Sequence, residues 1–391
     1  MAWASLHDMI KTHSSVSPRA AVTAVFFTFG TAIGAMAGSM PSVMRSAGMS
    51  SETLGFGLTV STIATVGAMS LGGRIARHAS NRAVLLAVLP VFSASLLAYL
   101  VAQSPLWFFL AVLPMGFCFG LTDLFMNAEA VAIEHDMRRP VFMAFHGAVS
   151  AAVAIISILA SYLSTMLGTP ATAAVAMLLF ALSWIMVYRS IAPRPLAKGK
   201  AARLATLPNK LPLTLLGIAA GLIIAAETTA LLWSAKLLDE QAPSLAAIAG
   251  LGAAFFGLCN AAMRFPGDRL RIEVGDMKLM IVSLIVSIGG FIALGLSGSF
   301  AGSVMAFAAV GLGLALLSPC IFSRAAGLVP ENRAGALSFV SLLTALPRCA
   351  APGVFGLIAS GLGISTAFGL VALALTIALA LIGYFAMRGT S

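Results

Sequence analysis

The sequence predicts an all-α membrane protein of twelve transmembrane helices arranged as two six-helix halves. Three observations predict it. First, 60% of the 391 residues are hydrophobic and only 9% are charged, against roughly 25% charged in an ordinary soluble domain. A soluble fold of this size has too little interior for so much apolar surface, whereas lipid covers it from outside. Second, apolar runs of about 20 residues, enough to cross roughly 30 Å of hydrocarbon as a helix, recur along the whole chain. Third, the basic residues sit almost wholly in the short gaps between those runs. That placement makes the net charge of +10 a membrane-topology signal and argues against a nucleic-acid-binding stripe.

The runs fall near 19–41, 54–73, 83–102, 106–133, 141–165, 171–188, 211–235, 245–263, 279–297, 300–323, 336–360 and 365–387, numbered here as spans 1 to 12. One longer break, 189–210, holds Arg189, Arg194, Lys198, Lys200, Arg203 and Lys210, three prolines and no acid. It reads as a cytoplasmic linker between an N-terminal half, 1–188, and a C-terminal half, 211–391. With the N-terminus in the cytoplasm, all but Arg45, Lys236 and Arg348 of the 23 Lys and Arg residues fall on the cytoplasmic side. The positive-inside rule requires that asymmetry and rejects the reverse orientation. Both termini are therefore expected in the cytoplasm. Met1 to Pro18 is polar and lacks the apolar core of a signal peptide, so span 1 itself is expected to direct insertion.

The halves echo each other. The turn after span 2 reads Gly73-Arg74-Ile75-Ala76-Arg77, and the one after span 8 reads Gly267-Asp268-Arg269-Leu270-Arg271. Span 1 carries Gly30, Gly34 and Gly38, and span 7 carries Gly217 and Gly221. Glycines four apart let helix backbones approach closely. A single pair means packing alone, but its recurrence at the head of each half points to a repeat, which is a transporter architecture.

Three stretches add to this. Span 4 has Asp123-Leu124-Phe125-Met126-Asn127; span 7 has Ala226-Glu227 and then Trp233-Ser234-Ala235; span 10 has Ser318-Pro319-Cys320-Ile321-Phe322-Ser323. Phe145-His146-Gly147 opens span 5. On these residues the chain resembles the major facilitator superfamily over nearly its full length, and within it the fucose-permease-like branch and related bacterial inner-membrane proteins. The chain departs from that pattern at Arg77, where the superfamily has an Asp, at Ser80, where it has a Gly, and in span 1, which lacks the acid of fucose permease. The resemblance implies a central cavity lined by spans 1, 4, 7 and 10, and alternating access by rocking of one half against the other. It also implies a monomer in a bacterial-type inner membrane, carrying a small polar solute with a proton; a sugar or sugar derivative is favoured through the resemblance alone.

Ionisable groups deep in a bilayer are costly, by about 2.5–3.5 kcal/mol on insertion scales, and so are functional candidates. They are Asp123, Glu129, His146, Glu227 and Arg348, with Asn127 and Asn260 as uncharged companions. Asp123 and Asn127 lie four apart and share one helix face. Asp123 falls about 26 Å below the outer end of its span, where a carboxyl can exchange a proton or accept hydrogen bonds from hydroxyls; the alternative is a structural carboxylate held by a neighbouring helix. Glu227, about 24 Å above the inner end of span 7, is expected in the outer half, shaping the solute site. Its neighbours Thr228 and Thr229 can simply bond back to the helix. Trp233 is either a ring that stacks on the solute or an interfacial anchor. Arg348, about 18 Å into span 11, must have a partner if buried. It is either a counter-ion for Glu227 or Asp123 or a receptor for an anionic group, and Pro347 and Pro352 beside it can free carbonyls. Glu129 and His146 lie at similar depth across the hairpin between spans 4 and 5, so they are expected to meet as a proton relay or a structural clasp.

No catalytic residue, metal site or cofactor is expected. The sequence has no Walker A motif and no His-Glu-x-x-His. Cys118, Cys259, Cys320 and Cys349 each lie in an apolar run without Cys-x-x-Cys spacing, and read as free thiols. Besides the symporter, two readings stay open: a proton-driven exporter of metabolites or amphipathic drugs, and a membrane ligand sensor that does not transport. A lipid-modifying enzyme lacks any visible nucleophile–base pair.

Overall fold

A computed structural model describes residues 17–138, 141–193 and 210–388, without the side chains of Asp268, Ala334 and the residues after Tyr384. All regular structure among the described residues is helical. Spans 1 to 7 are α1 (Pro18–Ser46), α2 (Ser51–Ile75), α3 (Asn81–Leu100), α4 (Pro105–Met137), α5 (Phe142–Met166), α6 (Thr169–Ser190) and α7 (Lys210–Gln241). The predicted linker between α6 and α7 lies mostly outside the described residues. The helix starts follow the sequence: Ser17, Ser50, Ser80 and Ser104 each accept a backbone N–H of the first turn, satisfying donors that have no partner inside the helix. Ser80 thus has a local role where the superfamily has glycine.

The C-terminal part departs from twelve uninterrupted spans. Span 8 is a 3₁₀ segment, Pro243–Ile248, followed by the 14-residue α8 (Leu251–Arg264). The break at Gly250 is held by α5. Ser157 Oγ donates to the Gly250 carbonyl, and the Gly250 N–H donates to Ser161 Oγ, both at 3.1 Å. A Cβ at Gly250 would lie 2.0 Å from the Ser157 carbonyl oxygen. The basic stretch after span 8 forms a short helix of its own, α9 (Gly267–Val274), where its counterpart after α2 is a turn. Spans 9, 11 and 12 are α10 (Asp276–Leu296), α13 (Arg333–Leu362) and α14 (Ile364–Arg388). Span 10 is divided into α11 (Phe300–Leu314) and α12 (Leu317–Leu328). With those two taken together, 11 helices among the described residues are long and apolar enough to cross a membrane; α8 is too short to qualify.

The glycine rows of spans 1 and 7 are packing surfaces. Gly30, Gly34 and Gly38 of α1 lie against Val149, Ile156 and Ser157 of α5, and Gly217 and Gly221 of α7 lie against Leu343 and Pro347 of α13. The first and fifth helices of each six therefore meet in the same way. Contacts between the first six spans and the rest gather at one end of the bundle. Arg45 of α1 pairs with Asp239 of α7 at 2.6 Å. Gly55 of α2 meets Gly356 of α13 so closely that a Cβ on the former would lie 2.9 Å from the Cα of the latter. The Gly353 N–H donates to Thr59 Oγ1 at 3.0 Å, and α5 grips the Gly250 break. At the other end the bundle parts: a cavity of about 250 Å³ opens between α5 and α8, lined by Met143, His146, Arg264 and Phe265 among others.

Gly38→Ala tests the packing. Its Cβ would fall 2.2 Å from the Ser157 carbonyl oxygen, so α1 and α5 must separate, a strain of about 1–3 kcal/mol. Gly67 on α2 has no atom within 4 Å of such a Cβ, so Gly67→Ala should be neutral or slightly stabilising. Thermal melts of the two variants in detergent should therefore move apart, with only Gly38→Ala melting lower.

Candidate functional site

The centre of the bundle holds a cavity of about 120 Å³ whose walls come from α1, α2, α4, α7 and α13. Ile33, Met36 and Phe119 make it apolar; Ser61, Thr62 and Thr228 supply hydroxyls; Arg348 is its one charged lining residue. Thr62 and Thr228 return their hydroxyl protons to the carbonyls of Leu58 and Ile224, four residues back, leaving their oxygens as acceptors. That fulfils the expected back-bonding of Thr228.

Met115 and Phe119 carry the α4 wall, and Asp123 and Asn127 continue their stripe at four-residue spacing toward the parted end. The Asn127 Nδ2 donates to Asp123 Oδ1 at 2.9 Å and to the Asp123 carbonyl at 2.8 Å. Its Oδ1 is therefore the acceptor that faces His146, whose Nε2 lies 3.2 Å away; in this arrangement that nitrogen donates. The imidazole is fixed by Phe26, edge-to-face at 5.2 Å, and by Phe142 at 4.9 Å. Asp123, Asn127 and His146 form one directional chain from α4 to α5.

The expected Glu129–His146 clasp is not formed. Helical rotation carries Glu129 to another face of α4, where its buried carboxylate accepts from Asn81 Nδ2 at 3.0 Å and ties α4 to the start of α3. Depth alone predicted the pair; facing decided against it. The residue His146 does meet, Asn127, was named by the sequence for a different reason.

Glu227 also differs from expectation. Helix α7 runs on to Gln241, its last turns held by the Lys236–Glu240 pair, so Glu227 lies near the middle of the helix. Its partner is Arg264, not Arg348: Arg264 Nη2 lies 3.5 Å from Glu227 Oε1. The sequence count assigned Arg264 to the cytoplasmic surface, but it is the last residue of α8 and turns into the bundle. Arg264 Nε also donates to the Ala315 carbonyl at 3.2 Å. That carbonyl is free because Pro319, four residues on, has no N–H to give it. The same proline divides span 10. Arg264 is thus a site residue that sequence reasoning missed, and the signal available was Pro319, which leaves a carbonyl in need of a donor.

Trp233 is 1% exposed and packs on Phe355 with ring centroids 4.8 Å apart, which excludes the interfacial anchor. It borders a crevice of about 10 Å³ beside Arg348, so its indole supports the Arg348 wall from behind. Arg348 pairs with neither Glu227 nor Asp123: among the described residues it makes no hydrogen bond or ion pair, while those two carboxyls have Arg264 and Asn127. No group of His, Cys, Asp or Glu able to hold a metal occurs among the described residues.

Eleven long apolar helices among the described residues, packed around a central cavity with one charged lining residue, are the arrangement of a multi-pass membrane protein. The chain is similar to an uncharacterised MFS-type transporter of Yersinia pestis, 27% identical over 363 residues that cover 92% of this chain and 94% of that protein. It is also similar to membrane protein MosC of Rhizobium meliloti, 27% identical and covering 91% and 88%. No protein-family model matches. Among solved structures, the fold is that of the D-xylose-proton symporter, with TM-score 0.73, 14% identity and coverage of 93% and 96%. It is equally that of the nucleoside transporter NupG, with TM-score 0.72, 14% identity and coverage of 96% and 99%. Over nearly its full length the chain is thus similar to an MFS-type transporter, and its fold is that of solved solute transporters.

The Glu227–Arg264 pair is testable by a double-mutant cycle. Either single change to Gln leaves a part-buried charge without its partner and should destabilise by about 1–3 kcal/mol. The double variant should recover about 1 kcal/mol or more relative to the sum, read from detergent melts; strict additivity would show that the two do not interact.

Proposed function

We propose that this protein carries a small polar solute, a sugar or sugar derivative, together with a proton across a bacterial-type inner membrane by alternating access. The observation that carries the reading is the Asp123–Asn127–His146 chain, on the helix stripe that also walls the central cavity. Asp123 is the proton carrier. Asn127 holds its carboxyl in place through a donor that serves equally a protonated or an ionised oxygen, and His146 orients Asn127. Because an amide stands between His146 and Asp123, the imidazole positions the acid and does not pass it a proton. Glu227, paired with Arg264, is a fixed charge; Glu129 is structural.

The size of the cavity supports a compact solute. At about 120 Å³ it is smaller than the roughly 300–1,000 Å³ of sites for drug-sized ligands. The similarity in fold to a xylose–proton symporter and a nucleoside transporter supports a hydroxyl-rich one. The reading also takes the chain to work as a monomer, with two halves, 1–188 and 211–391, and with both termini and the 189–210 linker in the cytoplasm. In that orientation the parted end faces inward and the Arg45–Asp239 pair closes the outer mouth.

Replacing Asp123 by Asn keeps its size and the Asn127 contact and removes the titration. In proteoliposomes it should abolish accumulation driven by a pH gradient and leave solute exchange within about twofold, since exchange does not require the proton to cycle. Normal gradient-driven accumulation by this variant rejects Asp123 as the carrier. The orientation is checked separately. Reporters fused after Ser391 or inside 194–209 should be active in the cytoplasm; activity on the outer side reverses the topology.

A further inference from the structure

Arg348 stands apart from every other charged residue of the cavity region. Arg264 has Glu227 and the Ala315 carbonyl. Glu129 has Asn81. Asp123 has Asn127, which in turn has His146. Arg348 lines the cavity between Pro347 and Pro352, and among the described residues no hydrogen bond or ion pair holds its guanidinium. A cation in a low-dielectric site needs a counter-charge, and five N–H donors in a planar fork are shaped for a carboxylate.

The charges of the site show when that counter-charge is missing. Glu227 and Arg264 cancel. The remaining charges are Arg348 in the cavity wall on α13 and Asp123 on α4, one turn beyond the wall residue Phe119; among the described residues no hydrogen bond or ion pair joins the two. While Asp123 is ionised its charge offsets Arg348 across the cavity. Once Asp123 takes up a proton, the cavity is left with one uncompensated positive charge. A bound monoanion removes it.

We infer that the solute is a hydroxyl-rich monocarboxylate, an acidic sugar derivative, whose carboxylate docks on Arg348 while Asp123 holds the proton that travels with it. This rests on the transport reading above and narrows its substrate. The cavity is electrically balanced when both proton and anion are bound and when neither is. It is unbalanced by one charge when either is bound alone. Coupling then follows from electrostatics: the half-loaded states, which would leak proton or solute, carry an unneutralised charge in the bilayer and are disfavoured. One proton and one monoanion move together, and the loaded cycle carries no net charge. A neutral sugar moving with a proton would carry one positive charge inward.

The test uses purified protein in proteoliposomes and three matched probe pairs: D-glucuronate with D-glucose, D-galacturonate with D-galactose, and D-gluconate with D-glucitol. At least one acid, and not its neutral partner, should show saturable counterflow. Its uptake should follow an imposed pH gradient and change less than about twofold under an inside-negative potassium diffusion potential. Arg348→Gln should weaken binding of that acid at least tenfold, whereas Arg348→Lys, which keeps the charge and loses the fork, should fall between Gln and wild type. Should Arg348→Gln not fold, the potential test and Arg348→Lys decide the matter. Counterflow of a neutral sugar, or uptake accelerated by the inside-negative potential, overturns the monoanion and leaves the transport reading standing. Counterflow of no probe by folded protein overturns the monocarboxylate as named. Failure of the transport reading would appear differently, as probe binding seen in a thermal shift without counterflow of the bound probe.

Discussion

Every charge inside this bundle has to be neutralised by a neighbour, because the surrounding hydrocarbon offers no water to do it. That requirement explains more of the architecture than any single packing contact. Arg264 at the end of α8 stands against Glu227 at the middle of α7 and takes up the carbonyl that Pro319 releases. The division between α11 and α12, the short length of α8 and the inward turn of its last residue are three parts of one solution. A continuous span 10 would have left Arg264 with one partner, and a longer α8 would have carried its terminal charge past Glu227.

Backbone groups obey the same rule. Where span 8 breaks at Gly250, two serines of α5 satisfy the exposed N–H and C=O, as irregular backbone at membrane depth requires. The break can therefore exist only while α5 and α8 are together. The same serines contribute to closing that end of the molecule, so closure there and the integrity of span 8 are linked. At the opposite end no such pair ties α5 to α8 among the described residues, and the cavity beside His146 and Arg264 opens between them.

The sequence made the fold legible because a bilayer leaves few alternatives: length, hydropathy and basic-residue placement suffice to count and order the helices. The paired glycine rows on α1 and α7 could be read too, since close packing demands small residues whatever their partner. What could not be read was facing. Glu129 and His146 were matched by depth, which follows from counting along a helix, whereas a residue's azimuth relative to a neighbour depends on how both helices are rolled. Asp123 and Asn127 were correctly placed together because one helix fixes both. The end of α7 was missed because charged residues after Trp233 marked the end of the apolar run but not the end of the helix, where Lys236 and Glu240 pair. Arg264 was hidden by a rule that is right on average: most basic residues after a span do lie in the cytoplasm.

The two arginines of the site separate structural charge from functional charge on physical grounds. Each lies near prolines that disturb a helix, so each has access to freed carbonyls. Arg264 uses one, adds a carboxylate, and is held from two sides; moving it would expose both partners. Arg348 has its own helix on one side, the buried ring of Trp233 and Phe355 nearby, and open cavity in front. A guanidinium held by packing alone keeps its hydrogen-bonding capacity for whatever enters. In the proposed cycle an ionised Asp123, which no bond joins to it among the described residues, supplies the opposite charge that holding it so requires. In that cycle the absence of a direct bond between them is what leaves both groups able to act. If Asp123 touched Arg348, the pair would be as inert as Glu227 and Arg264.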